Sequence, residues 1–328
     1  MKILITGGAG FIGSHLSEKL VLLGHHVVVL DNLSNGNQTF LSHIQKDKLT
    51  FVKGSVTERS LLQKWIDECD LIFHLAATLG VKTTVEDPLK IIHGNIDGTR
   101  NVLEIAYESK KKVIFASTSE VYGKNPNLPF AESSDRVLGP SQTNRWCYAT
   151  AKSLDEHMCF AYAQKGLPIT VVRYFNAYGA RQTSSQYGGV VPKFIVAALQ
   201  NKPLTVYGDG EQTRCFTHVS DMVSATIACM DPKVNNEVFN IGTTEQVTIN
   251  YLAKTIKKLT QSNSPIVQIP YEKVYGSGYE DTPGRVPDLT KSNQLINFQP
   301  RVNLSEGLAN TIKWYEKKLS EEGGAPFG

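Results

Sequence analysis

Short apolar runs alternate with longer amphipathic segments along the first half of the chain. The runs read KILIT, HVVVLD, LTFVKG, DLIFHLAA and KVIFAST, and the segments between them include 13–23, 58–67 and 95–109. Strands that are apolar on both faces and joined through helices form parallel sheets covered on both sides, with right-handed crossovers. The sequence therefore predicts an α/β fold built on a doubly wound parallel sheet.

The second half of the chain departs from this alternation. Strands are still predicted in PITVVRYFNAYG and in VFNIGT near 238–243. Between them lie a loop rich in Gly, Ser and Gln at 180–189 and a helix near 190–201, and the C-terminal region is rich in Pro and Gly. We therefore predict a smaller, mixed α/β lobe beside the sheet. The expected boundaries are 1–175 plus about 213–245 for the large domain, and about 176–212 plus 246–328 for the lobe.

The composition argues against several classes of protein. Lys and Arg number 34 and Asp and Glu 31 in 328 residues, so no strong field attracts nucleic acid or an anionic membrane. The five cysteines are Cys69, Cys147, Cys159, Cys215 and Cys229. Their odd number and wide spacing argue against a disulfide framework and a zinc site. Because no signal peptide or run of ~18 apolar residues is present, we expect a cytoplasmic protein with no metal, nucleic-acid or membrane partner.

A glycine-rich turn follows the first strand. ITGGAGFIGSHL places Gly7, Gly10 and Gly13 between that strand and the first helix, where backbone amides and the helix dipole can meet a pyrophosphate. Asp31 closes the second strand, where a carboxylate accepts hydrogen bonds from the adenosine ribose and repels a 2′-phosphate. The pattern predicts a Rossmann domain that binds NAD in preference to NADP. The alternative for Asp31 is a turn or cap residue at the start of DNLSNG.

A helix containing YATAKSLDEHMCFAYAQKG places Tyr148 four residues before Lys152. Residues with this spacing lie on one face of a helix, so the phenol and the ammonium are close together. A phenol has an ordinary pKa of ~10, but an adjacent ammonium and a cationic nicotinamide favour its ionised form. Tyr148 is therefore a candidate base for a substrate hydroxyl. An isolated Y-x-x-x-K is usually an amphipathic helix with a surface lysine, but the upstream dinucleotide loop disfavours that alternative.

Seven motifs follow one another over nearly the whole chain. They are TGGAGFIGSHL, HLAA, STSEVYG, YATAK, RYFNAYG, LTVYGDGEQTR and GRVPDLTKS. In this order they resemble the extended short-chain dehydrogenase/reductases of the nucleotide-sugar epimerase, dehydratase and decarboxylase group. The resemblance implies that tightly held NAD transiently oxidises a sugar hydroxyl and that further chemistry follows beside the new ketone. It also implies a homodimer, for which an apolar two-helix seam over 96–107 and 149–163 is suitable.

The resemblance implies which residues bind the cofactor and a UDP-sugar. The expected cofactor residues are Gly7, Gly10, Phe11, Ile12, Gly13, Asp31, Asn32, Ser55, Val56, Leu75, Ala76, Ala77, Asn95, Tyr148 and Lys152. The expected substrate residues are Asn176, Val190, Val191, Phe194, Thr205, Tyr207, Arg214, Arg285 and Asp288. Ser55 stands where the family often has an acidic residue, and His74 in HLAA is expected to be structural.

Three of these substrate residues have specific expected tasks. Arg214 and Arg285 would contact the diphosphate, and Asp288 would hold the nucleotide ribose or orient Arg285. The alternative for the two arginines is a surface salt bridge, and the alternative for Tyr207 is a core aromatic. The preference for UDP over other nucleotides rests on the resemblance alone.

The segment ASTSEVYG bears on the reaction because Thr118, Ser119 and Glu120 follow the fifth strand at its carboxyl end. By resemblance, Thr118 supports hydride transfer at C4 and Glu120 acts at C5, a task that simple 4-epimerisation lacks. Dehydratases of the family carry Asp-Glu after the Thr, whereas decarboxylases carry Ser-Glu, as here. Cys147, next to Tyr148, is either a weak acid for a departing hydroxyl or a structural residue. The alternative for Glu120 is a solvated turn residue.

The residues around these motifs resemble those of a bacterial epimerase/dehydratase branch more than those of the decarboxylases. We therefore predict a lyase that oxidises C4 of a UDP-hexose, with UDP-GlcNAc as a candidate, and eliminates water across C5 and C6 as a 4,6- or 5,6-dehydratase. A UDP-glucuronate decarboxylase is the second choice and a UDP-sugar 4-epimerase the third. A non-enzymatic sensor of NAD and sugar nucleotides is disfavoured because it would not need the intact Thr118, Tyr148 and Lys152.

Overall fold

The structure is a computed structural model that describes residues 1–183, 189–275, 280–282 and 284–321. Its strands are β1 (Lys2–Thr6), β2 (His26–Asp31), β3 (Leu49–Lys53), β4 (Leu71–His74), β5 (Lys112–Thr118), β6 (Ile169–Tyr174), β7 (Ala177–Tyr178), β8 (Leu204–Tyr207), β9 (Thr213–Arg214), β10 (Thr217–His218), β11 (Glu237–Ile241), β12 (Val247–Thr248) and β13 (Ile266–Ile269). Its α-helices are α1 (Phe11–Leu22), α2 (Arg59–Glu68), α3 (Val81–Glu86), α4 (Pro88–Glu108), α5 (Cys147–Gln164), α6 (Val190–Leu199), α7 (Val219–Ala228), α8 (Ile249–Leu259), α9 (Tyr271–Tyr275), α10 (Thr290–Ile296) and α11 (Leu304–Glu321).

Seven strands form one central sheet in the order β11-β6-β5-β4-β1-β2-β3, and every neighbouring pair is parallel. The strand order reverses at β1, because β2 and β3 lie on one side of it and β4, β5 and β6 on the other. This is the doubly wound Rossmann arrangement, which confirms the predicted fold class. Ligands of such sheets bind at the switch point, here between β1 and β4.

The central strands are buried on both faces of the sheet. In β1, Ile3, Leu4 and Ile5 are all fully buried. Ile3 and Ile5 belong to a hydrophobic cluster with residues of α1 and α7, whereas Leu4 belongs to a second cluster with residues of α2, α4 and α5. Successive residues of a strand point to opposite faces. Two covered faces therefore explain why the strand sequences are apolar throughout.

A third hydrophobic cluster forms the smaller lobe. Strand β8 pairs with β13 in parallel, and α6, α8 and α11 bury Phe194, Leu252 and Leu308 in this cluster. The predicted domain boundaries stay a prediction. Within the segment 246–328, however, Phe298 packs in a cluster of the large sheet, because α10 lies against β11. That part of the segment therefore packs with the large domain.

Two helices differ from the sequence prediction. Helix α4 begins at Pro88 and not near residue 95, because the Asp87 side chain caps it by accepting a hydrogen bond from the Lys90 N–H at 3.1 Å. Helix α11 was not predicted, although it has a buried stripe at helical spacing. The stripe includes Leu304, Leu308, Ile312 and Tyr315. Within the described ranges, no helix has the length and apolar character needed to cross a membrane.

Candidate active site

A cleft of about 1100 Å³ lies between the carboxyl edge of the sheet and the smaller lobe. The predicted cofactor residues that line it are Gly7, Gly10, Phe11, Ile12, Gly13, Asp31, Asn32, Ser55, Val56, Leu75, Ala76, Ala77 and Tyr148. The predicted substrate residues that line it are Asn176, Val190, Val191, Phe194, Thr205, Tyr207, Arg214 and Arg285. Thr118, Ser119 and Glu120 line the same cleft. The fold therefore brings the two sets together beside the three residues expected to act on the substrate.

The glycine turn between β1 and α1 leaves room for close backbone approach. Gly7 has a φ of +71°, a conformation that favours glycine. A methyl group on Gly13 would lie 2.2 Å from the Gly7 carbonyl oxygen, so no larger residue fits there. The first N–H groups of α1 have no partner within the helix, and its dipole favours an anion. The turn therefore fits the pyrophosphate of a dinucleotide.

Asp31 lies at the edge of the same cleft. Its Oδ2 accepts a hydrogen bond from the Ala9 N–H at 2.9 Å, and its Oδ1 accepts one from the Leu33 N–H at 2.8 Å. Burial raises the pKa of this carboxyl, and the two N–H donors oppose the rise. Each oxygen keeps a further lone pair for a ribose hydroxyl. Asp31 therefore stabilises the glycine turn, which agrees with its alternative role as a turn residue. The same side chain also fits the adenosine ribose of NAD.

Tyr148 and Lys152 lie one turn apart on α5. Burial raises the pKa of the Tyr148 phenol, and the carboxylates of Glu120 and Asp155 raise it further. Lys152 does not line the cleft, and its Nζ lies 3.5 Å from Oδ2 of Asp155. Lys152 by itself does not offset these effects on the phenol. The prediction that the phenol ionises invoked the lysine together with a cationic nicotinamide, and it stays a prediction. The lysine charge is balanced by Asp155, and the phenol keeps its proton near neutral pH.

The segment after β5 forms a short 3₁₀ helix, Ser119–Tyr122. The Thr118 hydroxyl oxygen accepts a hydrogen bond from the Glu120 N–H at 3.2 Å and so caps this helix. Ser119 is buried beside it. Thr118 therefore has a structural task in addition to facing the cleft.

Two arginines enclose Glu120. Its Oε1 lies 2.5 Å from Nη1 of Arg285, and its Oε2 lies 2.6 Å from Nη1 of Arg145. Burial by itself would raise the pKa of Glu120, but the guanidiniums of Arg285 and Arg145 outweigh it and hold that pKa far below its ordinary range. Glu120 is therefore ionised near neutral pH. Its side chain is 18% exposed, which argues against the solvated-turn alternative.

Sequence reasoning missed several residues of the cleft. Arg145 lies three residues before the start of the motif YATAK, and Lys193 lies directly before Phe194. A basic residue beside these predicted site residues was the available signal. Asp281 accepts hydrogen bonds from Arg214 at 2.8 Å and from the Tyr271 hydroxyl at 2.9 Å. Asp281 lies just before GRVPDLTKS and Tyr271 lies outside every quoted motif, so neither was predicted to belong to the site.

The prediction for Asp288 is wrong. Its side chain accepts a hydrogen bond from the Thr290 N–H at 2.8 Å, and it lines a separate groove away from the cleft. Arg285 is oriented instead by Glu120 and by Thr282, whose hydroxyl oxygen accepts from Nε at 3.0 Å. The surface salt-bridge alternative fails as well, because Arg214 and Arg285 are both buried.

Asn95 and Cys147 do not line the cleft. The Asn95 amide donates to the carbonyl of Thr78 at 2.8 Å and to that of Ile91 at 2.7 Å, so it holds a cleft-lining loop in place. The Cys147 thiol lies 3.8 Å from the Thr84 carbonyl, and burial raises its pKa. Of its two alternatives, the structural one fits this position.

The fold and the cleft together define a class of protein, a Rossmann dinucleotide-binding protein with a Tyr-Lys helix and a second ligand lobe. A family model described as the NAD dependent epimerase/dehydratase family matches residues 3–242. The chain belongs to this NAD-dependent family, which confirms the resemblance found from the motifs.

Two relatives and one solved structure were compared with the chain. UDP-N-acetyl-alpha-D-glucosaminuronate decarboxylase of Bacillus cytotoxicus is 50% identical over 316 residues, covering 96% of this chain and 98% of the relative. UDP-glucuronic acid decarboxylase 1 of Danio rerio is 37% identical over 323 residues, covering 98% and 74%. The structure of UDP-glucose 4-epimerase from Thermotoga maritima with UDP-glucose has a TM-score of 0.88 at 34% identity, covering 97% of this chain and all of the other.

Proposed function

We propose that the protein is an NAD-dependent decarboxylase of a UDP-hexuronate, with UDP-N-acetylglucosaminuronate as its substrate. The observation that carries this proposal is the pairing of Glu120 with Arg145 and Arg285 in the cleft. It is supported by the 50% identity to a decarboxylase of that compound over nearly the full length of both chains. The sequence-based ranking placed dehydration of a UDP-hexose first and decarboxylation second, and we reverse that order. UDP-glucuronate is the second candidate substrate because of the relative from Danio rerio.

The charge state of Glu120 argues against elimination of water. Loss of a C6 hydroxyl requires an acid that protonates it. Glu120 is ionised, Ser119 is a hydroxyl in place of the Asp of the dehydratases, and Cys147 does not line the cleft. Departing carbon dioxide needs no proton. Decarboxylation is therefore compatible with all three residues.

The two arginines of the same cluster favour a substrate carboxylate. Arg145 and Arg285 both lie against the single carboxylate of Glu120 in a largely buried part of the cleft. A guanidinium has five N–H donors in a geometry that suits carboxylates. The C6 carboxylate of a hexuronate would be a suitable second anion for these arginines, whereas the hydroxymethyl group of a hexose carries no charge.

The reaction follows from a ketone at C4. When bound, NAD supplies an acceptor for the C4 hydride and a donor for its return. With the positive charge of NAD added to that of Lys152, the Tyr148 phenol would be ionised. It would then take the proton of the C4 hydroxyl during oxidation and give it back when C4 is reduced. The ketone lies β to the C6 carboxylate, so the C5–C6 bond can break with its electron pair delocalised onto the ketone oxygen. Carbon dioxide leaves, C5 of the resulting enolate takes a proton from solvent, and return of the hydride to C4 gives a UDP-pentose with no net oxidation or reduction.

The diphosphate of the substrate requires cations in the lobe wall of the cleft. Arg214 is buried there and ion-paired with Asp281 at 2.8 Å. Lys193 lines the same wall, and burial lowers the pKa of its ammonium. An anionic diphosphate would restore the charged form of such a lysine. We assign both residues to the diphosphate.

Product analysis tests the proposal. The protein is incubated with NAD in deuterated water with UDP-N-acetylglucosaminuronate, UDP-glucuronate or UDP-GlcNAc, and the products are identified by NMR. We expect a UDP-linked N-acetylpentosamine with deuterium at C5 from the first compound. A new methyl group or an exocyclic alkene from UDP-GlcNAc would support dehydration instead, and inversion at C4 without label would support epimerisation. Tyr148→Phe is the matched inactive control.

A further inference from the structure

The mechanism does not use Asp155, a fully buried carboxylate on α5. Its Oδ2 lies 3.5 Å from Nζ of Lys152, which stands three residues earlier on the same helix and is 2% exposed. Burial raises the pKa of Asp155, and Lys152 and the Thr99 hydroxyl oppose the rise. A buried carboxylate is costly unless it is paired. The position of Asp155 therefore needs an explanation, and Lys152 is the neighbouring cation.

The other titratable groups around Lys152 are uncharged or already paired. Glu156 on α5 accepts two hydrogen bonds from Arg173 of β6, at 2.9 and 2.7 Å. Burial raises the pKa of the Cys159 thiol on α5 and lowers the pKa of His74 on β4 to about 3, so both are neutral near neutral pH. Glu120 is held by its two arginines. Among the described residues, this leaves Asp155 as the anion that balances the lysine.

We propose that Asp155 is a positioning residue that keeps Lys152 in its charged ammonium form, one helical turn from Tyr148. Apart from Asp155, the structure gives Nζ the ring face of Phe115, whose centroid is 3.9 Å away. A buried lysine without a counter-ion readily loses its proton. A neutral amine would no longer favour ionisation of the Tyr148 phenol while the substrate hydroxyl is oxidised. In this proposal the effect of the ammonium outweighs the direct effect of the Asp155 carboxylate, which raises the pKa of the phenol. Only the identity of the reaction in which Tyr148 acts rests on the proposed function.

The Lys152–Asp155 ion pair determines how the activity depends on pH. Burial lowers the pKa of Lys152, and Asp155 opposes that fall. In Asp155→Asn the opposing charge is absent, so the pKa of Lys152 falls by about 1 to 3 pH units. The ammonium then exists only below this lower pKa. The variant therefore keeps its activity in acid solution and loses it as the pH rises.

The first test needs no sugar nucleotide, so its outcome is independent of the proposed reaction. The NAD-bound protein is labelled with ¹³C at lysine Cε and titrated by NMR, with Lys152→Met to assign the signal. We expect an ammonium at pH ~7 in the wild type and a titration at least about one pH unit lower in Asp155→Asn. Asp155→Glu should stay close to the wild type. Glu156→Gln removes a buried carboxylate that also raises the pKa of Lys152 but is paired with Arg173, so it should lower that pKa by less than Asp155→Asn does.

Two outcomes of this titration would overturn the proposal. One is a neutral Lys152 in the wild type at pH ~7. This result needs only the wild-type protein and therefore does not depend on whether a variant folds. The other is an unchanged Lys152 pKa in Asp155→Asn.

The second test measures turnover of UDP-N-acetylglucosaminuronate as a function of pH. For Asp155→Asn we expect rates within about threefold of the wild type at the acid end, with the alkaline limb moved toward acid by the shift seen in the titration. A uniform loss of rate at every pH would mean that Asp155 only supports the fold, and would contradict the proposal.

Discussion

Glu120 shows how neighbouring residues fix a role that the sequence left open. In the sequence it is a carboxylate after a strand, equally suited to a turn or to chemistry at C5. In the structure Arg145 and Arg285 hold it ionised, and Arg285 lies 165 residues away along the chain. Contacts at that separation depend on how the lobe closes over the sheet edge. Residue spacing could therefore not predict them.

Replacing Arg145 with Gln should weaken binding of a hexuronate far more than binding of a hexose. The variant keeps the Glu120–Arg285 pair but loses one of the two guanidiniums proposed to bind the C6 carboxylate. We expect the Kd for UDP-N-acetylglucosaminuronate to rise about 30-fold or more, equivalent to about 2 kcal/mol, and the Kd for UDP-GlcNAc to change about threefold or less. Calorimetric titration measures both. Arg59→Gln, at an exposed ion pair with Glu104, is the control, and equal losses for both ligands would contradict the charge argument.

Replacing Tyr148 with Phe should remove the base for the first oxidation. We expect the rate of NAD reduction, followed by absorbance at ~340 nm in a single turnover, to fall about 10²-fold to 10⁴-fold. Binding of NAD should be unaffected because the ring remains. A variant that formed product at the normal rate would refute the role of the phenol.

At the level of elements, the sequence predicted what is local. The strands β1, β2, β4 and β5, the glycine turn and the Tyr-Lys spacing each depend on neighbouring residues in one segment. The predicted start of α4 and the predicted position of Asp288 were wrong, and α11 was missed. Each depends on contacts that the sequence alone does not show: the Asp87 cap for α4, the packing of the buried stripe for α11, and the turn to Thr290 for Asp288. Features set by the pattern of one segment were therefore predicted, and features set by particular side-chain contacts were not.

The turn before α1 should not tolerate a side chain at Gly13. The Cβ of Gly13→Ala would lie 2.2 Å from the Gly7 carbonyl oxygen and 2.7 Å from Cα of Gly8, and both are backbone atoms. We expect loss of bound NAD and a decrease of about 2 kcal/mol in the free energy of unfolding. NAD content after purification and denaturant unfolding measure these effects. Ser14→Ala, the next position of α1, should retain NAD, and a Gly13→Ala protein with a full complement of NAD would contradict the assignment of the turn.

At the scale of the whole molecule, α4 and α5 pack side by side and leave apolar surface on one face. Leu154 is 45% exposed and Tyr107 is 40% exposed, and the Tyr107 ring lies 5.6 Å from that of Tyr162. Two copies of such a helix pair can bury this surface around a twofold axis. The homodimer expected from the resemblance therefore stays a prediction, with this face as its proposed interface.

Leu154→Arg should separate such a dimer, because a twofold axis would place two added charges near each other in an apolar contact. We expect a monomeric mass by light scattering after gel filtration at concentrations where the wild type is dimeric. Leu22→Arg, at a leucine of α1 that is 74% exposed, should leave the mass unchanged. A monomeric wild type, or a dimeric Leu154→Arg, would rule out this interface.

The fate of C6 is the most direct test of the proposed decarboxylation. UDP-N-acetylglucosaminuronate labelled with ¹³C at C6 is incubated with the NAD-bound protein, and the label is followed by NMR. We expect the label to appear as carbon dioxide and bicarbonate while a UDP-linked N-acetylpentosamine without label accumulates in equal amount. Retention of the label in a sugar with an altered C4 would contradict it and would make the protein an epimerase.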